Sequence, residues 1–418
     1  MIEKIAEKIK KNGGNLYLVG GAIRDELLGK TQFDEDYCIT GLTQERFKEL
    51  FPEAKWIGKS FGVFQLEKKE FALARSEIKK GIGHTEFDVM LDPEISIEED
   101  LRRRDITINA IAKDMITGEI IDPFGGREDI ENKKIRYISN HFSEDPLRVY
   151  RVARFAATLE FDVDENTIKI MRNMKQELKS LSKERVFLEF RKALIAKKPS
   201  IFFRVLKKAE VLDVHFKEIY DLIGSLQPEK YHPEGDSYEH TMQVLDKAAE
   251  YTEDETLRFA ALVHDLGKGI TPKESYPHHY GHDKRGVALV QNLGERIGLP
   301  SKWIKYGKVA AKEHMLGGIF RKMSPGKQVS YIERVEKTEI GLEGMQLIVN
   351  ADREGRGNYK ETEEEKKNSQ FLEIGKECIQ TINAKKIIEK YGKIEGKQFG
   401  ELLHQERIAW LKQKNIDF

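Results

Sequence analysis

The sequence predicts an α+β protein, a small mixed-sheet head followed by all-α regions. Two observations carry this expectation. Strand-like segments crowd into the first 140 residues, interleaved with short helical patterns. Beyond Asp145 almost every segment has helical period and strand signals are scarce. Length adds a third: 418 residues exceed one ordinary core, so several domains are expected.

The elements follow in order. Residues 2–11 predict a short amphipathic helix that ends at Gly13-Gly14. NLYLVGG reads as a buried strand entering a glycine turn, and AIRDELLG as a helix stopped by Gly29. FDEDYCIT gives a second strand. VFQLEKKEFALARS and HTEFDVMLD are further strand-like segments, separated by a Gly-containing loop at 79–83. Gln227-Pro228 and the run His232 to Asp236 mark a boundary. A second set of helices runs from there to about Gly357, and Lys360 to Phe418 has the weak apolar spacing of exposed helices. The expected division is a head over 1–140, a helical neck and body over 141–226, an all-α domain over 227–357 and a helical tail over 358–418.

Composition narrows the class. Charged residues make up 34% and apolar residues 39%, the balance of a soluble, helix-rich protein. Lys+Arg and Asp+Glu both number 71, so any basic surface for a nucleic acid must be a local patch. Two cysteines, Cys38 and Cys378, form no disulfide framework, and a reducing cytoplasm is expected. The charged N-terminus lacks the apolar core of a signal peptide, and no run of 18 apolar residues predicts a membrane span.

Three constellations carry chemistry. In the first, Gly20-Gly21 joins a strand to a helix, a turn whose N–H groups approach phosphate, and Arg24 lies one turn into that helix. Asp34 and Asp36, two apart on a strand, point to one face and repel unless a cation sits between them, as in sites that hold divalent metals against a triphosphate. An isolated D-x-D is more often a solvated turn; the short spacing after Gly-Gly favours the metal site.

In the second, Arg102-Arg103-Arg104 suits triphosphate or RNA phosphates, and Asp105, Thr107 and Asn109 beside it suggest a hydrogen-bonded wall. Asp122 to Gly126 reads as a structural turn. Asp145, Arg148 and Arg151 recur at helical spacing. Cytosine and adenine both present an amino donor beside a ring-nitrogen acceptor, so a carboxylate with a guanidinium would select C and A together. An ordinary i,i+3 surface ion pair has the same spacing, and spacing alone leaves both readings open.

In the third, seven of the eleven histidines fall between residues 232 and 314. His240, the adjacent pair His264-Asp265, and Asp352 on helical segments could form a metal site with positions open to water. One buried histidine would ordinarily be structural; the set is harder to explain that way.

LVGGAIRD, D-x-D, RRRDITINAIA, DPFGGREDIENKKIR and EDPLRVYRVARFAA, in this order over residues 16–157, closely resemble bacterial class II CCA-adding enzymes, the tRNA nucleotidyltransferases. The match continues weakly through Lys183-Glu184-Arg185-Val186. The resemblance implies that Asp34 and Asp36 are catalytic and bind Mg²⁺. It implies that Gly21, Arg24, Arg104, Arg148 and Arg151 bind the nucleotide, and that Glu144, Asp145 and Arg148 form the protein template for C and A. Ala74 to Gly83 resembles the family's flexible loop that switches from C to A addition, and it is not truncated. The order His240, His264-Asp265, Asp352 resembles the HD phosphohydrolase superfamily. With HPEGD, VHDLGKGITP, PHHYGHD and ADREGR, the whole of 16–357 resembles the bacterial multifunctional CCA proteins.

That resemblance implies a nucleotidyltransferase head, an all-α neck and body, and an all-α HD domain. The implied activity is addition and repair of the tRNA 3′-terminal CCA from CTP and ATP. A metal-dependent phosphatase, 2′-nucleotidase and 2′,3′-cyclic phosphodiesterase is implied alongside, with His240, His264, Asp265 and Asp352 as ligands to a divalent transition metal such as Ni²⁺ or Mn²⁺, or to Mg²⁺. His278, His279 and His282 are alternatively phosphate contacts and are not assigned as ligands, and His314 has no assigned role. The expected partners are the tRNA 3′ end, CTP and ATP, with a monomer or homodimer as the assembly. A bacterial poly(A) polymerase is the near alternative. It shares the head motifs, but Trp56 to Val63 reads as in the CCA type and the histidine domain argues against it. An HD phosphohydrolase whose head only binds nucleotides, and a non-catalytic tRNA-binding protein, are the alternatives from other classes.

Overall fold

The computed structural model describes the chain apart from residues 32–34, 59–61, 80–86, 358–359, 361, 364–369, 393, 395 and 415–418. It divides into two compact units. The first comprises Met1–Glu189 with Arg204–Val211, the second Phe190–Phe203 with Leu212–Phe418.

The first unit begins with α1 (Ile2–Lys11), which buries Ile5, Ala6 and Ile9 and places Lys8, Lys10 and Lys11 at its C-terminal end, where the helix dipole favours cations. β1 (Asn15–Val19) is almost entirely buried and leads through Gly20 into α2 (Gly21–Leu27). β2 (Asp36–Thr40) starts at an exposed Asp36 and continues buried. α3 (Gln44–Leu50) is capped by the Thr43 side chain and followed by β3 (Lys55–Gly58), β4 (Val63–Leu66) and β5 (Lys69–Leu73). β6 (Arg75–Lys79) and β7 (Phe87–Leu91) pair antiparallel as a separate ribbon. The sequence reading took Arg75 and Ser76 as the end of a strand-like segment, placed a loop at 79–83 and likened 74–83 to the family's flexible loop; the strand here runs from Arg75 to Lys79. Residues 80–83 of that reading lie outside the described residues.

α4 (Ile97–Arg102) opens with a capping box between Ser96 and Glu99. β8 (Ala112–Asp114) and β9 (Ile120–Ile121) complete a seven-stranded sheet of order β3-β4-β5-β2-β1-β8-β9. The β2–β5 pair is parallel and the other pairs antiparallel, so the sheet is mixed, as expected. Asp122 accepts from the N–H groups of Gly126 and Arg127 at 2.7 and 2.9 Å at the start of α5 (Gly126–Glu131), the structural turn read from the sequence. The short strands Lys134–Ile135 and Asp162–Val163 pair parallel. α6 (Leu147–Leu159), α7 (Glu165–Asn173), α8 (Lys183–Leu194) and α9 (Ser200–Lys208) supply the helical part.

Apart from an isolated bridge between Leu226 and Asp236, the described residues of the second unit are helical or irregular. α10 (Lys217–Tyr220), α11 (Ser237–Tyr251), α12 (Glu255–Val263), α13 (His282–Ile297), α14 (Ser301–Gly318), α15 (Pro325–Glu336) and α16 (Gly341–Glu354) follow in order. Phe190 packs against Phe202, Phe203, Phe216, Phe259 and Trp303. One departure from expectation lies in the C-terminal region. Helix Phe371–Thr381 buries Phe371, Ile374, Gly375 and Cys378, spaced as one apolar stripe, and Phe371 packs on Phe320 and Tyr331. Helix Lys397–Lys414 fits the expectation of an exposed helix better, burying only Leu411. No helix among the described residues is long and apolar enough to cross a membrane.

Candidate active sites

The head site is built around the turn after β1. Gly20 has φ +73°, and a Cβ there would lie 2.8 Å from Arg104 Nη1, so glycine permits both the turn and the approach of that guanidinium. Val19 pairs with Asp36 across the β1–β2 ladder, which places the exposed Asp36 opposite the residue that opens the turn. Asp34 lies outside the described residues.

Arg24 is buried. Its Nη1 donates to Asn109 Oδ1 at 2.5 Å, and Nε and Nη2 each lie 3.1 Å from the Asp25 carboxylate. Asp105 is the other anchor of this wall. Its Oδ1 accepts from the N–H of Ile106 and from Asn109 Nδ2 at 3.3 Å; its Oδ2 accepts from Arg151 Nε at 2.7 Å. Burial pushes the Asp105 carboxyl up, but the Arg151 and Arg148 charges outweigh it and hold the pKa at about 2. Asp105 and Asn109 thus link Arg24 to Arg151. Thr107 turns the other way and bonds to Asp129.

The arginine run does not act as one strip. Arg102 is exposed, with its guanidinium over the Phe124 ring. Arg103 and Arg104 instead clamp the buried Asp100, at 2.8 and 3.2 Å. Burial raises the Asp100 carboxyl, and these two charges more than reverse the shift. Arg24, Arg151 and Arg154 all lie over Phe155, with guanidinium carbons 5.2, 5.6 and 3.9 Å from the ring centroid.

Asp145 precedes α6 rather than lying on it, so it does not share a helical face with Arg148 and Arg151 as the spacing suggested. Its Oδ1 accepts from the N–H of Leu147 at 3.0 Å and its Oδ2 from Arg185 Nη2 at 2.8 Å. Arg148 donates to the carbonyls of His141 and Arg103, both at 2.7 Å.

The second site lies within the helical unit. His240 (α11) is fully buried; Nε2 is 3.0 Å from Asp352 Oδ1 (α16) and Nδ1 is 2.8 Å from Glu234 Oε1. His264 and Asp265 directly follow α12, with His264 Nε2 3.2 Å from Asp265 Oδ2 and 3.8 Å from Asp352 Oδ1. The four histidine-domain residues singled out in the sequence therefore converge. Burial acts to raise the carboxyls of Asp265 and Asp352. Lys268 and His264 override it for Asp265, and His240 and His264 for Asp352, so both sit well below the usual carboxylate range.

A cation fits the donors present. His240, His264 and Asp352 offer ligand atoms within 4.8 Å of one another, as do His264, Asp265 and His314. His264 Nε2 is buried and makes no hydrogen bond. Such buried polar atoms are costly unless something partners them.

Sequence reasoning missed several of these residues. Lys268 reaches Asp265 Oδ2 at 2.5 Å and Gln227 Oε1 at 2.6 Å. Glu234, whose side chain is almost wholly buried, also contacts His232 at 2.9 Å and accepts the Gly357 N–H at 3.0 Å. His-x-Glu in an irregular segment was the available signal for Glu234, but it was absorbed into the boundary at 232–236. His282, read as an alternative phosphate contact, and His314, which had no assigned role, both face Asp265.

Comparison with known proteins decides the family. Residues 16–136 match the poly A polymerase head domain, 160–222 a probable RNA and SrmB-binding site of polymerase A, and 237–347 the HD domain. The chain is 38% identical over 404 residues to the multifunctional CCA protein of Nitrosococcus oceani, covering 95% of this chain and 98% of that protein. This chain belongs to the multifunctional CCA protein family. It is a CCA-adding nucleotidyltransferase with an HD domain, and both parts imply dependence on divalent metal.

The fold of this multifunctional CCA family member is shared with solved CCA-adding enzymes. The Bacillus stearothermophilus enzyme in complex with CTP aligns with a TM-score of 0.63 at 23% identity, over 100% of this chain and 97% of that one. The Thermotoga maritima enzyme complexed with tRNA_CCA aligns with a TM-score of 0.65 at 19% identity, over 98% and 90%.

Proposed function

We propose that this chain adds C, C and A in turn to the 3′ end of tRNA from CTP and ATP, without a nucleic-acid template. The observation that carries the reading is how the Asp145 and Arg148 side chains are held. Arg148 donates to two backbone carbonyls, those of His141 and Arg103, which orient its guanidinium. Asp145 is oriented by Arg185 and the Leu147 N–H, and its oxygens retain acceptor capacity. Asp145 would accept from the amino group shared by cytosine and adenine, and Arg148 would donate to the ring nitrogen beside it.

Gly21, Arg24, Arg104 and Arg151 would bind the nucleotide, with Arg24 and Arg151 held in place through Asn109 and Asp105. Asp34 and Asp36 would hold Mg²⁺. Bound there, divalent cations supply neutralisation of the triphosphate and activation of the terminal hydroxyl. The head spans 1–140 in this reading, the neck and body 141–226, the HD domain 227–357 and the tail 358–418.

For the HD site the reading is phosphoester hydrolysis, as phosphatase, 2′-nucleotidase and 2′,3′-cyclic phosphodiesterase. His240, His264, Asp265 and Asp352 would hold a divalent cation, which supplies Lewis acidity and an activated water. Glu234 would orient His240 from behind, as carboxylates do for metal-binding histidines.

The test uses the full chain and a tRNA lacking its terminal CCA, with CTP and ATP, read by mass spectrometry of the RNA 3′ end. Three defined nucleotides are expected, and Asp34→Ala with Asp36→Ala should abolish their addition while sparing phosphohydrolysis. A long A tail, or addition that survives both substitutions, would overturn the reading.

A further inference from the structure

We propose that His278 and Tyr280 form a stacking platform beside the HD site for the base of a nucleotide whose phosphate is hydrolysed there. The proposal rests on the reading of that site as a phosphohydrolase and deepens it by naming how the substrate is held.

The starting observation is a pair of rings turned to solvent. His278 and Tyr280 are both exposed, Tyr280 to 81%, and their rings lie 20° from parallel with centroids 5.5 Å apart. His279, between them in sequence, is buried. A single exposed aromatic side chain is ordinary. Two that stack on each other and keep open ring surface can extend the pile by another flat group. Tyrosine and histidine rings are among the surfaces on which unpaired RNA bases stack.

The loop is held in this shape by its buried side. His279 Nε2 donates to the Leu226 carbonyl at 2.9 Å, and its Nδ1 accepts from the Thr271 hydroxyl at 3.0 Å. Thr271 Oγ1 in turn accepts from Arg285 Nη2 at 2.9 Å, and Arg285 Nη1 donates to the Tyr280 carbonyl at 2.8 Å. These bonds close a ring through His279, Thr271, Arg285 and Tyr280. The platform is therefore preorganised, and little order is lost when a ligand stacks on it. The same contacts bring the exposed Leu226, and the exposed Ile270 next to Thr271, alongside the loop as further apolar surface.

The loop leads directly into the HD site. His282, two residues past Tyr280, is buried with Nε2 3.2 Å from Asp265 Oδ1. Two residues of chain span at most about 7 Å. On the other side Gln227, next to Leu226, accepts from Lys268, whose Nζ also lies 2.5 Å from Asp265 Oδ2. A Cβ on Gly267 would come within 1.9 Å of the His282 carbonyl oxygen, so glycine after the His-Asp pair lets the end of the loop pack this closely. The platform thus stands within a nucleotide's reach of Asp265. Stacking does not read base edges, so the ligand class is nucleotides of any base, free or as an RNA 3′ end.

The experiment uses the full chain with Mn²⁺, Ni²⁺ or Mg²⁺ and compares two secondary phosphate esters, adenosine 2′-phosphate and the base-free glycerol 2-phosphate. The KM for the nucleotide should be about tenfold the lower, the scale of one stacked base. In His278→Ala with Tyr280→Ala the two KM values should converge, and Tyr280→Phe should keep them apart. A ratio that the double variant leaves unchanged, or both KM values rising together, would overturn the platform and leave the hydrolase standing. The same comparison with a tRNA ending in a 2′-phosphate tells the two sources apart: the ligand is the one whose KM rises more in the double variant. Hydrolysis of neither ester by the wild type would overturn the hydrolase reading. The platform is then decided by Tyr280→Trp, which adds a reporter to the three native tryptophans. Its added fluorescence should be quenched by adenosine 2′-phosphate and not by glycerol 2-phosphate; no quenching would overturn the platform.

Discussion

The Asp145 carboxylate accepts from Arg185 at 2.8 Å, joining the residue that precedes α6 to one on α8. In the proposed base-reading pair, Arg185 is thus a positioning residue. Arg185→Leu should lower kcat/KM for CTP and ATP by about 10- to 100-fold, the scale of a misplaced contact. It should also narrow the preference for CTP over UTP. Single-nucleotide extension of a truncated tRNA with each nucleotide checks both effects; an unchanged C:U ratio would leave Arg185 a merely structural role.

Glu234 supports the site in the HD domain. Its carboxylate lies 2.8 Å from His240 Nδ1, the nitrogen turned away from Asp352. Glu234→Gln should weaken the activating metal at the HD site by about 10- to 100-fold. Phosphatase activity titrated against metal concentration reads this as a shifted midpoint. CCA addition by the same preparation should stay at its original rate.

Gly20→Ala combines a backbone and a contact effect. Alanine is strained at φ +73°, and its methyl group would meet Arg104. Backbone strain of this kind costs about 1–3 kcal/mol, seen as a lower melting temperature. Displacement of Arg104 should in addition raise KM for the nucleotide; a melting shift with unchanged KM would separate the two effects.

His215 gives the second unit a pH dependence with a definite sign. Burial and then the Arg296 charge lower its pKa from the usual 6.5 to about 4. The folded state resists protonation that the unfolded chain accepts below pH 6.5. Stability is therefore full above pH 6.5, falls as pH drops from there, and stops falling below about pH 4. At pH 5 the loss is about 2 kcal/mol relative to pH 8. Denaturant melts of wild type and His215→Gln at both pH values should show that the variant loses less.

Elements were legible where periodicity or punctuation was strong. Gly20-Gly21 after an apolar run placed β1 and α2, and the spacing of His240, His264-Asp265 and Asp352 placed three helices around one point. The sequence reading failed where side-chain roles depend on distant backbone. Asp145 looked helical by spacing, yet it sits before α6, where its carboxylate accepts the Leu147 N–H. Asp100 was not singled out in the sequence, yet it is the buried counter-ion of Arg103 and Arg104. Arg185 contacts a partner 40 positions away in sequence, which no local pattern announces, and the His-x-Glu signal for Glu234 does not say that it meets His240.

The chain passes between its two units three times, at Glu189, Phe203 and Val211. Phe190, just past the first crossing, packs against Phe216, Phe259 and Trp303 within the second unit. A gene cut at any single point therefore delivers at least one half without part of its own interior. Separating the nucleotidyltransferase part from the HD domain by fission would require rerouting the chain, which ties the two parts into a single gene product.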